Sequence, residues 1–234
     1  GVSAMFNVHE LFVDVEAYAT GIVVPIGEGK NLGIGAHLVD YGRQIVRTVN
    51  EPEGTGASFG AYDLSIGATY AQNLAENFYF GATAKFVQQR IYDMRAQTFA
   101  FDFGFLLKTE YLNGARLGAT ISNFGGTMSM DGINSRLVVD IDPTSDGNNT
   151  NVPANLFTEE WDLPLSFKFG AAVPAVKMEN YEWLLISEIQ QTNDNNLNLD
   201  NGTQFSYKTR TVEFHVRAGY RDFLLGDEID AHMT

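Results

Sequence analysis

The sequence predicts an all-β fold, a transmembrane antiparallel up-and-down β-barrel, on three observations. The first is an alternation that recurs from end to end. Phe78, Phe80, Ala82, Ala84 and Phe86 alternate with Tyr79, Gly81, Thr83, Lys85 and Val87. Phe99, Phe101, Phe103 and Phe105 alternate with Ala100, Asp102, Gly104 and Leu106, and Val212, Phe214, Val216 and Ala218 alternate with Glu213, His215, Arg217 and Gly219. A period of two describes a strand with two unlike faces. The second is length. The runs match the roughly 9–11 residues that a tilted strand needs to cross a bilayer, against about five or six in an ordinary globular strand. The third is the character of the second face, which is Gly, Ala, Ser and Thr with a few charges of mixed sign. That suits a lumen. A soluble β-sandwich or soluble barrel would turn the apolar face into a core and charge the other face heavily.

Taken in order, the pattern gives about eleven strands in the residues present. They are Ser3–His9, then Val13–Ile26, closed by a Gly27-Glu28-Gly29-Lys30 turn, then Leu32–Val49. A loop with Pro52, Gly54 and Gly56 separates these from Ser58–Ala71. That strand sets Tyr62, Leu64, Ile66, Ala68 and Tyr70 against Asp63, Ser65, Gly67 and Thr69, with a tyrosine at each end where interfacial girdles fall. Phe78–Ile91 and Thr98–Glu110 form the clearest pair. Asn113-Gly114 is a hairpin signal leading into Ala115–Phe124. The pattern then stops over 125–163, a polar insertion of the kind barrels place outside the cell. It resumes with Pro164–Val176, Tyr181–Gln191, Gln204–Lys208 and Thr211–Arg221. Trp183-Leu184-Leu185-Ile186 is apolar on both faces, so the register of its strand is not set by the sequence. No helix is expected.

Composition excludes several functions. The chain has 234 residues, no cysteine and a formal net charge of −14, with 29 acidic against 15 basic residues. There is then no disulfide framework and no thiolate metal site. The acidic balance argues against nucleic acid as a partner, because phosphate contacts need clustered Lys and Arg. Mean hydropathy of −0.12 carries no weight, since a barrel shows lipid only every second residue.

Charges on the non-apolar face are the candidate functional residues: Asp63, Lys85, Asp102, Lys108, Arg116, Lys168, Glu213, Arg217 and Arg221. Ionisable groups inside a barrel must be paired or wetted, because a lone buried charge is costly. They either brace the wall or line a polar path or docking site. His215 shares their face, while His9, His37 and His232 show no metal spacing. The run Asp140–Gly147 lacks the EF-hand spacing and its closing Glu. Gly33-Ile34-Gly35 does not extend to a dinucleotide fingerprint. No catalytic residue, cofactor or metal site is expected. In the insertion, Leu156, Phe157 and Trp161 are apolar in a polar setting; they either cap the barrel mouth or anchor a protein partner.

Ten segments, in order, carry a resemblance. They are Val23-Val24-Pro25-Ile26-Gly27, Leu32-Gly33-Ile34-Gly35, Val39-Asp40-Tyr41-Gly42, Asp63 to Ala71, Gly81 to Ile91, Phe101-Asp102-Phe103-Gly104, Arg116 to Gly125, Val152-Pro153-Ala154, Trp161 to Leu165, and Arg217 to Arg221. Together they resemble the PorV/PorQ family of bacterial outer-membrane proteins, distant relatives of the FadL fatty-acid transporters. The resemblance implies a FadL-like barrel of about fourteen strands. It also implies an N-terminal segment with an Asn-Pro-Ala motif that enters the lumen. That motif is absent here, and the family's last strands are missing after Arg221, so the single barrel domain over 1–234 is expected to be truncated at both ends. The implied role is that of a shuttle or scaffold in type IX secretion and cell-surface attachment. The implied partners are the secretion translocon, cargo with a C-terminal β-domain, and outer-membrane lipid. Two other readings stay open: a FadL-like transporter of small hydrophobic molecules, and a structural subunit of an envelope assembly.

Overall fold

The computed structural model describes residues 1–11, 14–140, 144, 151–193 and 197–221. One antiparallel sheet dominates it. Its strands are β1 (Ser3–Glu10), β2 (Glu16–Gly27), β3 (Lys30–Ile45), β4 (Ser58–Ala75), β5 (Phe78–Ile91), β6 (Met94–Lys108) and β7 (Arg116–Gly125). An insert follows with five short strands: β8 (Thr127–Met128), β9 (Asp131–Gly132), β10 (Arg136–Val139), β11 (Val152–Asn155) and β12 (Trp161–Asp162). The sheet resumes with β13 (Ser166–Lys177), β14 (Tyr181–Thr192), β15 (Asn198–Lys208) and β16 (Glu213–Tyr220). Among the described residues the only helical piece is a 3-10 turn, Ile133–Ser135.

Each main strand pairs with its neighbour in sequence, except that β7 pairs across the insert with β13. All eleven expected strands are present, with shifted ends. β3 stops at Ile45, where Val46 leaves the ladder and closes the loop through its N–H to Ala57 O and its carbonyl to Thr55 N, both 2.9 Å. β6 starts at Met94 and β15 at Asn198, both earlier than alternation showed, because Arg95, Gln97, Asn198 and Asp200 are polar strand residues. Among the described residues β1 and β16 do not pair with each other, so the described sheet is open at both edges.

Register sorts the side chains onto two faces. Lys85 pairs with Ala100, Thr83 with Asp102 and Gly81 with Gly104, so these share a face and the phenylalanines take the other. Across that second face Phe78 stacks on Phe105 with centroids 5.9 Å apart, and Phe86 packs on Phe99 at 5.4 Å. Such pairs contribute about 0.5–1.5 kcal/mol each beyond burial. The apolar face is nonetheless the exposed one: Phe99 is 68% exposed while its neighbour Ala100 is 0% exposed. A soluble fold would show the reverse.

The two longest connections, 46–57 and 126–165, leave the same end of the sheet. The segments 28–29, 76–77, 109–115, 178–180 and 209–212 lie at one end of the sheet. The other end carries 11–15, 46–57, 92–93, 126–165 and 193–197. The Asn113-Gly114 signal falls in the 109–115 turn, where Leu112, Asn113 and Gly114 all have positive φ. Its side-chain amide reaches back to Pro174 O at 3.1 Å, tying this turn to β13.

The insertion is folded against the sheet. β9 extends the ladder of β6, with Met94 opposite Gly132 and Arg95 opposite Asp131. β8 pairs with β12 and β10 with β11. Gly126 N donates to Phe99 O at 3.2 Å. The deepest burial in the described chain lies here, at Ala96, Ala100 and Met128. A Cβ at Gly125 would collide with Phe99 O and with Ala100, so glycine is what lets the insert leave β7 so close to β6.

Candidate functional site

The candidate site is the polar face, built by strand parity. Register places Asp63, Lys85, Asp102, Lys108, Arg116, Lys168, Glu213 and Arg217 on it, through the continuous ladder from β4 to β16, and Arg221 lies just past the last paired residue, Tyr220. Spacing along each strand therefore brings charges of distant sequence together.

Lys85 holds the centre. Its ammonium donates to Asp102 Oδ1 at 2.7 Å, to Oδ2 at 2.9 Å and to Asn123 Oδ1 at 2.5 Å. Asn123 N donates to Asp102 Oδ1 at 2.7 Å, and Asn123 Nδ2 to Pro164 O at 2.8 Å. This arrangement rests on a β-bulge. Between the pairs Phe101↔Phe124 and Phe103↔Ile121, two residues of β7 face Asp102 alone. Asn123 takes φ 63°, a left-handed conformation that asparagine tolerates better than most residues. The bulge aims its side chain onto the polar face and fixes where the insert meets β13.

The other charges are held less tightly. Lys168 meets Glu188 at 3.3 Å, with both side chains about 40% exposed, so this pair contributes at most about 1 kcal/mol. Asp63 accepts from Tyr41 Oη at 2.7 Å. Arg217 donates to Gln204 Oε1 at 2.6 Å, and Arg221 lies 3.9 Å from Asp200. Glu213 is 3.8 Å from His215, whose Nδ1 is hydrogen-bonded to Ser206 Oγ at 2.9 Å. Lys108 sits over the Tyr79 ring at 4.7 Å. Arg116, its cross-strand partner, makes no ion pair among the described residues.

Two open depressions, each of about 360 Å³, flank Arg116 on this face. One runs past Gly118 and Gly170 to Lys168 and Glu188. The other opens at the rim beside Lys108 and Lys177. A larger depression of about 520 Å³ near Phe6, Ile22 and Ile34 has no charged side chain in its lining.

The three insertion residues part company. Trp161 pairs with Met128 across β8 and β12 and is half-buried, so it belongs to the insert's own packing. Leu156 is exposed and Phe157 is 99% exposed. The run Asp140–Gly147 lies mostly outside the described residues.

Sequence reasoning missed the partners more than the charges. Glu188 lies on the strand whose register Trp183-Leu184-Leu185-Ile186 left open. The ladder now puts Trp183 and Leu185 on the apolar face and Leu184 and Ile186 on the polar one. Asp200 precedes the expected start of β15, and Asn123 acts through a bulge that no periodicity marks. Among the described residues no group of three or more His, Asp or Glu side chains could hold a metal ion. No protein-family model matches the chain, and no curated protein matches it in sequence.

Proposed function

We propose that this chain forms the wall of a bacterial outer-membrane β-barrel of the PorV/PorQ type, which binds other proteins as a shuttle or scaffold in type IX secretion and cell-surface attachment. The membrane part of this reading rests on one observation: the aromatic, aliphatic face is exposed, while the polar face holds the residues of low exposure, as at Phe99 and Ala100. Water penalises such a surface by about 25 cal/mol per Å², and lipid does not. The two longest connections, 46–57 and 126–165, leave the same end of the sheet, as the long outer loops of an outer-membrane barrel do. In a bilayer both sheet edges must be paired, since unpaired backbone groups in lipid cost several kcal/mol each. Closure through further pairing of β1 and β16 is therefore part of the proposal.

Protein binding rests on the insert. It is pinned to β6 by the β9 ladder and by the buried Met128, yet it presents Phe157 and Leu156 outward. An exposed aromatic on a rigid platform is how protein interfaces place their anchors. A transporter of small hydrophobic molecules is the rival, favoured by Leu106 and Ile186 in the depression on the otherwise polar face.

Purification from the native membrane in mild detergent, with mass spectrometry of the proteins and lipids that come along, decides between them. Secreted proteins sharing a C-terminal β-domain, or a large translocon barrel, are the expected finding. A stoichiometric fatty acid or hydrocarbon without a protein would sink the shuttle in favour of transport.

A further inference from the structure

We propose that Lys108, Arg116 and Lys177 form a binding site for a phosphate group at the short-turn rim of the polar face. The first ground is a broken local rule. Lys108 and Arg116 are direct cross-strand partners of β6 and β7. Like charges directly opposite on a ladder repel, and sheets ordinarily place opposite charges there. No carboxylate relieves this pair: among the described residues neither side chain makes a salt bridge, although the chain carries 29 acidic against 15 basic residues. Local rules are broken in this way where function requires it.

The second ground is convergence. The depression of about 360 Å³ at this rim is lined by both cations together with Lys177, Thr109, Gly114 and Glu182. Three cations stand against the single carboxylate of Glu182, which leaves two positive charges uncompensated. A phosphate dianion cancels both, and a single carboxylate ligand would not. Gly114, at φ 91°, turns the chain, and the site of its missing Cβ lies 3.7 Å from Lys177 Nζ. Lys177 thus reaches the turn from β13, which the Asn113 bond to Pro174 O holds in place. The Lys108 ammonium sits over the Tyr79 ring at 4.7 Å and lines the depression. The Arg116 guanidinium supplies the planar fork that suits two phosphate oxygens. Thr109 Oγ1 accepts from Tyr111 N at 3.1 Å, so its hydroxyl proton can be given to a ligand.

The phosphate can come from a soluble phosphorylated compound or from a phospholipid headgroup. The site stands independently of the secretion reading. Calorimetric titration of the protein in maltoside micelles, at constant ionic strength, tests it with inorganic phosphate in one arm and dioleoylphosphatidic acid in the other. Saturable binding in either arm is expected, and the tighter arm identifies the source. Arg116→Gln and Lys108→Gln should each weaken it by about tenfold or more, as loss of a charge-assisted contact does. Lys30→Gln, on β3 and outside this depression, should leave it unchanged. Melting temperatures guard against misfolding: relieving a like-charge pair should not lower them. Absence of saturable binding in both arms, or equal affinity in Arg116→Gln, overturns the proposal.

Discussion

Lys85 and Asp102 form a two-pronged ion pair across β5 and β6, with Nζ 2.7 and 2.9 Å from the two carboxylate oxygens. Their side chains are 14% and 29% exposed, the most sheltered pair of opposite charges among the described residues. Asp102 also receives the backbone N–H of Asn123, so one carboxylate serves the sheet and the bulge where the insert begins. The two partners are not equivalent. Asp102→Ala leaves the Lys85 ammonium with Asn123 Oδ1 alone and strips the Asn123 N–H of its acceptor, whereas Lys85→Met leaves the Asp102 carboxylate still accepting that N–H. Denaturant unfolding should show Asp102→Ala costing about 1–3 kcal/mol and Lys85→Met less, because the first takes the acceptor from two donors and the second leaves a carboxylate that keeps one of its hydrogen bonds. Equal losses would mean that Asn123 is held by something else.

Gly125 and Gly132 both bring the chain onto the backbone at β6 too closely for a side chain. A Cβ at Gly132 would meet Asp93 O and Met94, as one at Gly125 meets Phe99 O and Ala100. Gly125→Ala should therefore lift the insert from the sheet while the main ladder persists. Limited proteolysis would detect it as faster cutting within 126–165 than in the parent chain. A loss of about 1–3 kcal/mol is expected, in the range of overpacking. Unchanged cutting would show that the insert docks without this close approach.

Ile34 lies mid-strand on the apolar face of β3 and is 63% exposed. On a water-facing surface an arginine there would change stability little and improve solubility. In a membrane wall the same change costs about 2–4 kcal/mol near the midplane. Refolding of Ile34→Arg into vesicles, followed by urea titration, separates the two environments. A neutral outcome removes the ground for the membrane reading.

The strands were legible because each has two faces of different chemistry, and a period of two survives any register. Phe99 to Phe105 and Phe78 to Phe86 declared both the strand and the face. What was not legible depended on contacts outside that period. Trp183-Leu184-Leu185-Ile186 is apolar on both sides, so only pairing with β13 and β15 shows that Glu188 faces Lys168. The insert's strands are mostly two residues long and show no periodicity at all. Trp161 accordingly reads in sequence like Phe157, as a cap on the barrel mouth or an anchor for a protein partner, although it pairs with Met128 inside the insert. Asn123 reads as a strand residue near the end of Ala115–Phe124 and is the hinge of a bulge, because positive φ in an asparagine has no signature in one sequence.

The chain's two tryptophans fall on either side of the question that matters most. Trp183 lies on the apolar face of β14, 45% exposed, with Nε1 donating to Thr203 Oγ1 at 2.7 Å. Trp161 lies in the insert, opposite Met128. Each can be watched alone after replacing the other by phenylalanine. In vesicles of brominated lipid, Trp183 fluorescence should be strongly quenched, because contact with bromine on the acyl chains requires a lipid-facing ring. Trp161 should keep its intensity, since the insert sits at the long-connection end and packs on itself. Phe157→Ala, in the same vesicles, should leave both signals unchanged while reducing capture of any protein partner, because a fully exposed ring contributes to binding and not to the fold. If Trp161 is quenched and Trp183 is not, the insert rather than the sheet faces lipid. The apolar face then needs a protein cover instead of a membrane.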